Sequence, residues 1–294
     1  MGMAYIKKIY EFWNSNEIEI NYKGKYGAKG EKRAPKRKPT KEEIRKNNQT
    51  NRENKVRRLL KANFRARDWW CTLKYPKGTR KSAEEVKDDF NKFTDSLRGK
   101  YKRRGSKFKF IYRIEIGKRG GIHIHIVINR IKDSDLLIAS SWKHGTVNFQ
   151  HIREWGGMKN LAEYIVKRPN EEVCKQLSMF PEEDRKTFVT YNTSRNLVRP
   201  KPERKKYERK TLRKEIEQGP TPTKGYYIDK NSVVFGVNPY TGMSYLHYTE
   251  FKIGEGEEDG EHLYIYQCQR TKKAGCKSGL HSLCPDTKRR SYSI

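Results

Sequence analysis

The octapeptide Gly121–Ile128, GIHIHIVI, leaves the chain few ways to fold around it. Histidine and isoleucine alternate with a period of two, which a strand turns into two faces: His123 and His125 on one side, Ile122, Ile124, Ile126 and Ile128 on the other. Upstream, Phe108–Ile116 is rich in aromatic and β-branched residues, and the Gly-rich segment 117–121 between the two runs reads as the loop of a β-hairpin. A loop of that length sets Glu115 across from His123 and Arg113 across from His125, and brings Ile114 and Ile116 onto the isoleucine face. One face of the hairpin is then core. The other carries Glu115, His123 and His125 within reach of one another, a donor set that suits a divalent cation and leaves positions open for substrate oxygens. A slip of one residue would send Glu115 to the isoleucine face and dissolve the cluster.

The surrounding pattern predicts an α+β fold, a central antiparallel sheet with flanking helices, over residues 68–198. Trp69–Tyr75 reads as a strand whose two tryptophans point to opposite faces, so that one of them is core. Ser82 and Glu85 form a capping box for a helix carrying Val86, Phe90, Phe93 and Leu97 and stopped by Gly99. Asp133–Ser141 reads as a short helix, Thr146–Ile152 as a strand, and Gly157–Arg168 as a helix ended by Pro169. Residues 1–67 are set apart as a basic N-terminal arm, in which Thr40 and Glu43 open a helical run ending in Val56, Leu59 and Leu60. Residues 199–224 read as a charged helical linker. Residues 225–294 read as a small β-rich C-terminal appendage, with strands Tyr226–Val237 and Met243–Tyr248 and a Cys-containing tail.

Charge then narrows the partners. The 66 Lys and Arg against 35 Asp and Glu leave a net charge of +31, an excess that attracts polyanions and makes nucleic acid the expected partner. No stretch approaches the roughly 18 apolar residues of a membrane span, and the first residues lack the apolar run of a secretory signal, so the expectation is a cytoplasmic protein with no membrane partner. Five cysteines are no disulfide framework in a chain of this length. Cys71 and Cys174 read as buried small side chains, and Cys268, Cys276, His281 and Cys284 lack the close Cys pair of a zinc site. There is no phosphate-cradling G-x-x-x-x-G-K-[ST] loop. A sheet with aromatics between cations would stack bases and grip phosphates, which nominates Trp70, Lys74 and Arg113 for single-stranded DNA. Arg195 is a further DNA contact or a structural salt bridge, His144 and His151 read as turn and strand packing, and the arm and the run Arg204–Lys214 are candidates for duplex DNA.

In the helix expected over Gly157–Arg168, Met158, Leu161, Ala162 and Ile165 make a buried stripe, while Tyr164 and Lys167 share the opposite arc. A phenol beside an ammonium is favoured in its ionised, nucleophilic form. In order along the chain, Cys71-Thr72-Leu73-Lys74-Tyr75-Pro76, His123-Ile124-His125 and Tyr164-Ile165-Val166-Lys167 resemble the three motifs of the HUH endonuclease superfamily, and specifically its rolling-circle replication initiators, the Rep proteins. Gly24-Lys25-Tyr26-Gly27, Trp142-Lys143-His144-Gly145 and Ser194-Arg195-Asn196-Leu197 are similar to segments of phage and plasmid replication-associated proteins, so the resemblance spans about residues 16–202.

The resemblance implies a HUH/Rep nuclease fold in which His123, His125 and Glu115 bind Mn²⁺ or Mg²⁺. It implies that Tyr164 attacks a DNA phosphate to give a 5′-phosphotyrosine and a free 3′-hydroxyl, with Lys167 orienting the phosphate or the phenol. The implied partners are single-stranded DNA, an origin duplex or stem-loop, and a host helicase and polymerase. One tyrosine alone fits the motif, so termination would need a second subunit or another acceptor. A HUH transposase and a non-catalytic DNA-binding protein are the alternative readings.

Overall fold

Strand alternation and helix capping account for most of the elements in the computed structural model, which describes residues 5–22, 33–153, 157–207 and 212–254. The chain divides into two units, Met1–Phe251 and Lys252–Ile294, and of the second only residues 252–254 are described. The Cys and His residues of the tail and the segment Gly24–Gly27 therefore lie outside the described residues. In chain order the elements are strands β1 (Tyr5–Glu11) and β2 (Ser15–Tyr22), helix α1 (Lys41–Asn63), β3 (Trp69–Lys74), α2 (Ala83–Arg103), the hairpin β4 (Phe110–Ile116) and β5 (Ile122–Ile128), α3 (Ser134–Ser141), β6 (Thr146–His151) and α4 (Gly157–Ile165). There follow α5 (Glu171–Leu177), α6 (Glu182–Arg185), β7 (Tyr191–Thr193), β8 (Glu203–Tyr207), α7 (Arg213–Gln218), β9 (Tyr226–Ile228), β10 (Val234–Asn238) and β11 (Met243–Lys252).

These make an α+β protein with two antiparallel sheets. The sheet that carries the histidines has five strands in the order β6-β3-β5-β4-β7. Its hairpin has the expected register, Glu115 opposite His123 and Arg113 opposite His125. The loop closes through the Gly117 N–H to the Gly121 carbonyl at 2.8 Å, and Gly120 takes a φ of +75° that a side chain would strain. On one face Cys71, Leu73, Ile114, Ile124 and Ile126 pack with Val86, Phe90, Phe93, Leu97 and Tyr101 of α2 and with Ile138 of α3. Trp69 belongs to that core and donates its indole N–H to Ser134 Oγ at 2.8 Å. Gly145, in the turn before β6, has φ +141°, and a Cβ there would lie 2.2 Å from the Lys74 carbonyl oxygen, so only glycine lets the turn close on β3.

The opposite face is divided. Ile111 and Val127 are covered by Leu59 and Leu60 of α1, by Phe64 just after it and by Leu161, Ala162 and Ile165 of α4, with Trp70 against their edge. Beyond this apolar half lie Thr72, Lys74, Arg113, Glu115, His123 and His125.

Several expectations are corrected. The basic arm contains two strands: β1 and β2 join β8, β10 and β11 in a six-stranded sheet ordered β10-β11-β2-β1-β8, with β9 paired to β11. Helix α2 runs past Gly99 to Arg103, because Tyr101 is fully buried and donates to the Asn129 carbonyl at 2.8 Å, a packing gain larger than the cost of a helical glycine. The charged run after Arg199 is split into the edge strand β8 and the short helix α7, since pairing with β1 gives Glu203–Tyr207 a ladder to join. The span Tyr226–Val237 breaks at a 3₁₀ turn, Lys230–Ser232, where Asp229 accepts from the Asn231 N–H. Cys71 is buried, whereas Cys174 is exposed on α5.

The capping box at Thr40 and Glu43 starts α1 as its sequence predicts, yet the basic residues at the other end of the helix are turned inward. Glu17 on β2 is 2 % exposed and meets Arg57 and Arg58 at 2.9 Å and Lys61 at 3.0 Å. Burial pushes its carboxyl up, but Lys61 and the two guanidinium groups outweigh that and hold it far below the ordinary range. Replacing Glu17 by Gln leaves Arg57 and Lys61 without a carboxylate in a half-buried site and Arg58 with Glu19 alone. The expected cost is about 3 kcal/mol, read as a lower urea midpoint with an unchanged slope, and a midpoint equal to wild type would refute it.

Candidate active site

The polar half of the sheet and the last turn of α4 bring together residues from four segments. Tyr164 donates its phenol proton to Glu115 Oε2 at 2.8 Å and lies 3.0 Å from His125 Nε2. His125 Nε2 is itself 3.2 Å from the same carboxylate oxygen. The second ring nitrogen of His125 shares a hydrogen bond with Thr72 Oγ1 at 3.2 Å, which holds the ring with Nε2 turned towards the phenol. Trp70 stacks on His125 at 5.4 Å, 17° from parallel, and meets the Tyr164 ring edge-on at 5.6 Å. The expected separation of Trp69 and Trp70 to opposite faces is thus observed, with Trp70 built into the wall of the site.

Arg113 ties the helix to the sheet. Its guanidinium is 3 % exposed, and Nη1 donates to the carbonyls of Ile165 at 2.9 Å and Lys167 at 2.6 Å, with that of Tyr164 at 3.5 Å. The Ile165 and Lys167 carbonyls lie at the C-terminal end of the helix, where intrahelical donors run out, while that of Tyr164 also accepts the Lys167 N–H at 3.2 Å. Nε of the same group lies 3.3 Å from Glu115 Oε1 as an ion pair, though without the alignment of a hydrogen bond. The sequence expectation of Arg113 as a DNA-facing cation is therefore corrected, because α4 lies over it and its donors are turned to that helix end. Nothing in a strand's alternation reveals which helix will cover it.

The electrostatics of the phenol also differ from expectation. Helix α4 ends at Ile165, so Lys167 is beyond the helix and does not share a face with Tyr164. Its side chain is exposed, while the phenol points to the sheet. Burial and the neighbouring Glu115 carboxylate raise the Tyr164 pKa, and Arg113 only partly opposes them, so the hydroxyl is protonated at neutral pH. Glu115 is pushed up by burial, but the hydrogen bonds from His125 and Tyr164 and the charge of Arg113 bring it down to about 2. Burial, with His125 and Lys74 as neighbours, lowers His123 against the pull of Glu115.

The donor chemistry of Glu115, His123 and His125 suits a hard or borderline divalent ion. In the arrangement seen here, however, the carboxylate and His125 converge on the Tyr164 hydroxyl, and among the described residues no three His, Cys, Asp or Glu side chains surround a common point.

Lys74 is half-buried beside His123. Arg195 is exposed, in a segment anchored to β4 by Ser194 Oγ accepting the Phe110 N–H and by Asn196 donating to the Phe108 carbonyl. His144 and His151 are packing residues: His144 pairs with Asp89 at 3.3 Å, and His151 stacks on Trp69 at 4.2 Å. Thr72 is a site residue that sequence reasoning missed, although its place opposite His125 follows from aligning β3 with β5.

Residues 68–169, the stretch from β3 to just past α4, match the family model described as replication-associated protein ORF2/G2P. Searches of curated proteins and of solved structures found no match. The family match supports a role in replication and, with it, contact with DNA. Among the described residues no helix is long and apolar enough to cross a membrane.

Two outcomes are expected from this geometry. The depressed Glu115 carboxyl contributes stability in full above its ordinary value of 4.5 and loses it as pH falls towards about 2. Glu115→Gln should therefore be less stable than wild type by up to about 3 kcal/mol at neutral pH, with the gap closing on acidification, as followed by urea unfolding at stepped pH. Arg113→Met should cost about 3 kcal/mol by exposing helix carbonyls to an apolar neighbour and unpairing Glu115, whereas a variant within about 0.5 kcal/mol of wild type would show that the guanidinium bears no load.

Proposed function

We propose that the chain is a HUH-type, metal-dependent endonuclease and strand transferase that nicks and rejoins single-stranded DNA to start and end rolling-circle replication. The observation that carries this reading is the meeting of the Tyr164 hydroxyl with Glu115 and His125, three side chains from separate segments within hydrogen-bond distance of each other. It is supported by the match of residues 68–169 to a replication-associated family.

Glu115, His123 and His125 would hold Mn²⁺ or Mg²⁺, which when bound polarises a non-bridging oxygen of the scissile phosphate. The remaining work belongs to the chain. Arg113 and the Thr72–His125 bond hold the phenol and its neighbours in place, which is where positioning enters the rate. Glu115 Oε2 accepts a hydrogen bond from the phenol and so aims Oη at phosphorus, and the phenol proton passes through solvent to the departing 3′-oxygen as Oη attacks. The new Oη–P bond replaces the P–O3′ bond, and the departing 3′-oxygen leaves as a hydroxyl after protonation. Because the phosphodiester energy is kept in the phosphotyrosine, attack by a 3′-hydroxyl reverses the step and closes a strand without a nucleotide cofactor. Lys74, Lys167 and Arg195 are left to contact DNA phosphates.

Incubation with end-labelled single strands bearing the replication origin and Mn²⁺ should yield a covalent adduct that survives denaturing electrophoresis. Tyr164→Phe should give none. An adduct of wild-type yield in that variant, or no adduct from wild type on any origin strand, would end the assignment.

A further inference from the structure

A cleft of about 530 Å³ opens where α1, β7 and the β1–β2 hairpin meet, lined by Asn51, Asn54 and Lys55 of α1, Tyr191 and Asn192 of β7, and Arg199. Its volume is that of a small-ligand site. The walls are polar and rich in amides.

The sequence of α1 gives an independent reason to ask what those amides do. The stretch 47–54, NNQTNREN, is poor in helix formers yet lies mid-helix, at a cost of several tenths of a kcal/mol for each Asn relative to Ala. Asn47, Asn51 and Asn54 recur at i, i+4 and i+7, so they form one stripe that runs into the cleft. Among the described residues the side-chain amides of Asn51, Asn54 and Asn192 have no hydrogen-bond partner, and Lys55 and Arg199 form no ion pair. The remaining cation of the wall, Arg58, is different. It is held by Glu17 and Glu19 and lies 3.7 Å over the Tyr10 ring, which makes it part of a rigid floor. Free amides, an aromatic ring and unpaired cations in one cleft match the three needs of a nucleotide: an edge to hydrogen-bond, a face to stack on and a charge to neutralise.

Position links the cleft to the cleaved phosphate. Tyr191 is the register partner of Arg113, so the two side chains leave neighbouring strands on the same face, about 5 Å apart at the backbone. Arg113 in turn grips the end of α4 that bears Tyr164. Tyr191 and Arg199 line the same cleft, and burial raises the Tyr191 phenol while the charges of Arg199 and Arg52 oppose that rise.

We propose that this cleft binds one unpaired nucleotide of the DNA strand flanking the scissile phosphate. Tyr191 stacks on the base, Asn51 and Asn54 hydrogen-bond its edge, and Lys55 and Arg199 take the adjacent phosphates. The identity of the strand rests on the nicking reading; the cleft itself does not.

The test is fluorescence anisotropy on the full chain without divalent metal, using short labelled homopolymers of each deoxynucleotide and an abasic strand of equal length. Wild type should bind at least one base-bearing strand about tenfold more tightly than the abasic strand. Asn51→Ala with Asn54→Ala, which raises helix propensity and so keeps the fold, should remove most of that preference with the salt dependence unchanged. Tyr191→Leu should do the same through stacking. Lys55→Ala with Arg199→Ala should keep the preference but flatten the slope of log affinity against log salt by about 1.4, two phosphates at ~0.7 each. A base preference that survives the Asn51/Asn54 and Tyr191 variants, or none in wild type, overturns the proposal. Base-dependent binding lost in these variants while wild type forms no covalent adduct would sink the nicking reading and leave the cleft standing; an adduct with no effect of the cleft variants on base preference would do the reverse.

Discussion

One buried guanidinium sets the geometry on which the site depends. Arg113 leaves the middle of β4 and ends among the last carbonyls of α4, while the other edge of the same group faces Glu115. Without it the tyrosine-bearing helix would be held to the sheet by the apolar contacts of Leu161, Ala162 and Ile165 and by the Tyr164 side chain itself. Apolar contacts are non-directional and tolerate sliding. Charge-assisted hydrogen bonds to fixed carbonyls do not, and they place the phenol oxygen at one height above the sheet. The same group offsets part of the effect of the Glu115 charge on Tyr164, so position and acidity of that phenol are adjusted by a single residue.

What the sequence made legible was what depends on neighbours in the chain. The hairpin register followed from the alternation of His123–Ile128 and the length of the glycine loop, and the helix starts followed from Thr40/Glu43 and Ser82/Glu85. The placing of Glu115, His123 and His125 on one face of the hairpin was legible for the same reason, whereas Tyr164 was tied to them only by the family resemblance. Long-range pairing was not. Arg113 reads as a surface cation until α4 is seen above it, and Lys167 reads as a helical neighbour of Tyr164 until the helix is seen to stop at Ile165. Gly99 reads as a terminator, and only the burial of Tyr101 two residues later explains why it is not one. The three-residue strand β7 has no periodicity to detect, and it is recognised by its partner β4.

The large positive charge resolves into two populations. Arg57, Arg58 and Lys61 are consumed by Glu17 and Glu19, where they fix α1 against β2. Lys55, Lys167, Arg195 and Arg199 are exposed. Composition counts both alike, although only the second group is free to release counterions on binding a polyanion. Helix α1 therefore has two jobs along its length, its basic C-terminal half serving the fold and its amide-rich middle facing outward.

The six-stranded sheet places β2 between β1, its immediate neighbour in sequence, and β11, near the far end of the described chain; His247 reaches Asn21 across a separation of 226 residues. Of the described strands, a ribosome delivers β1 and β2 first and β11 last. The five-stranded sheet, whose strands all lie between Trp69 and Thr193, can close before β11 is made, whereas the β1–β2 hairpin waits with its β2 edge unpaired until β11 arrives. Glu17 and Glu19 on β2, salted by α1 as soon as that helix emerges, give the waiting edge a charged companion, one of the means by which open strands are kept from pairing with other chains.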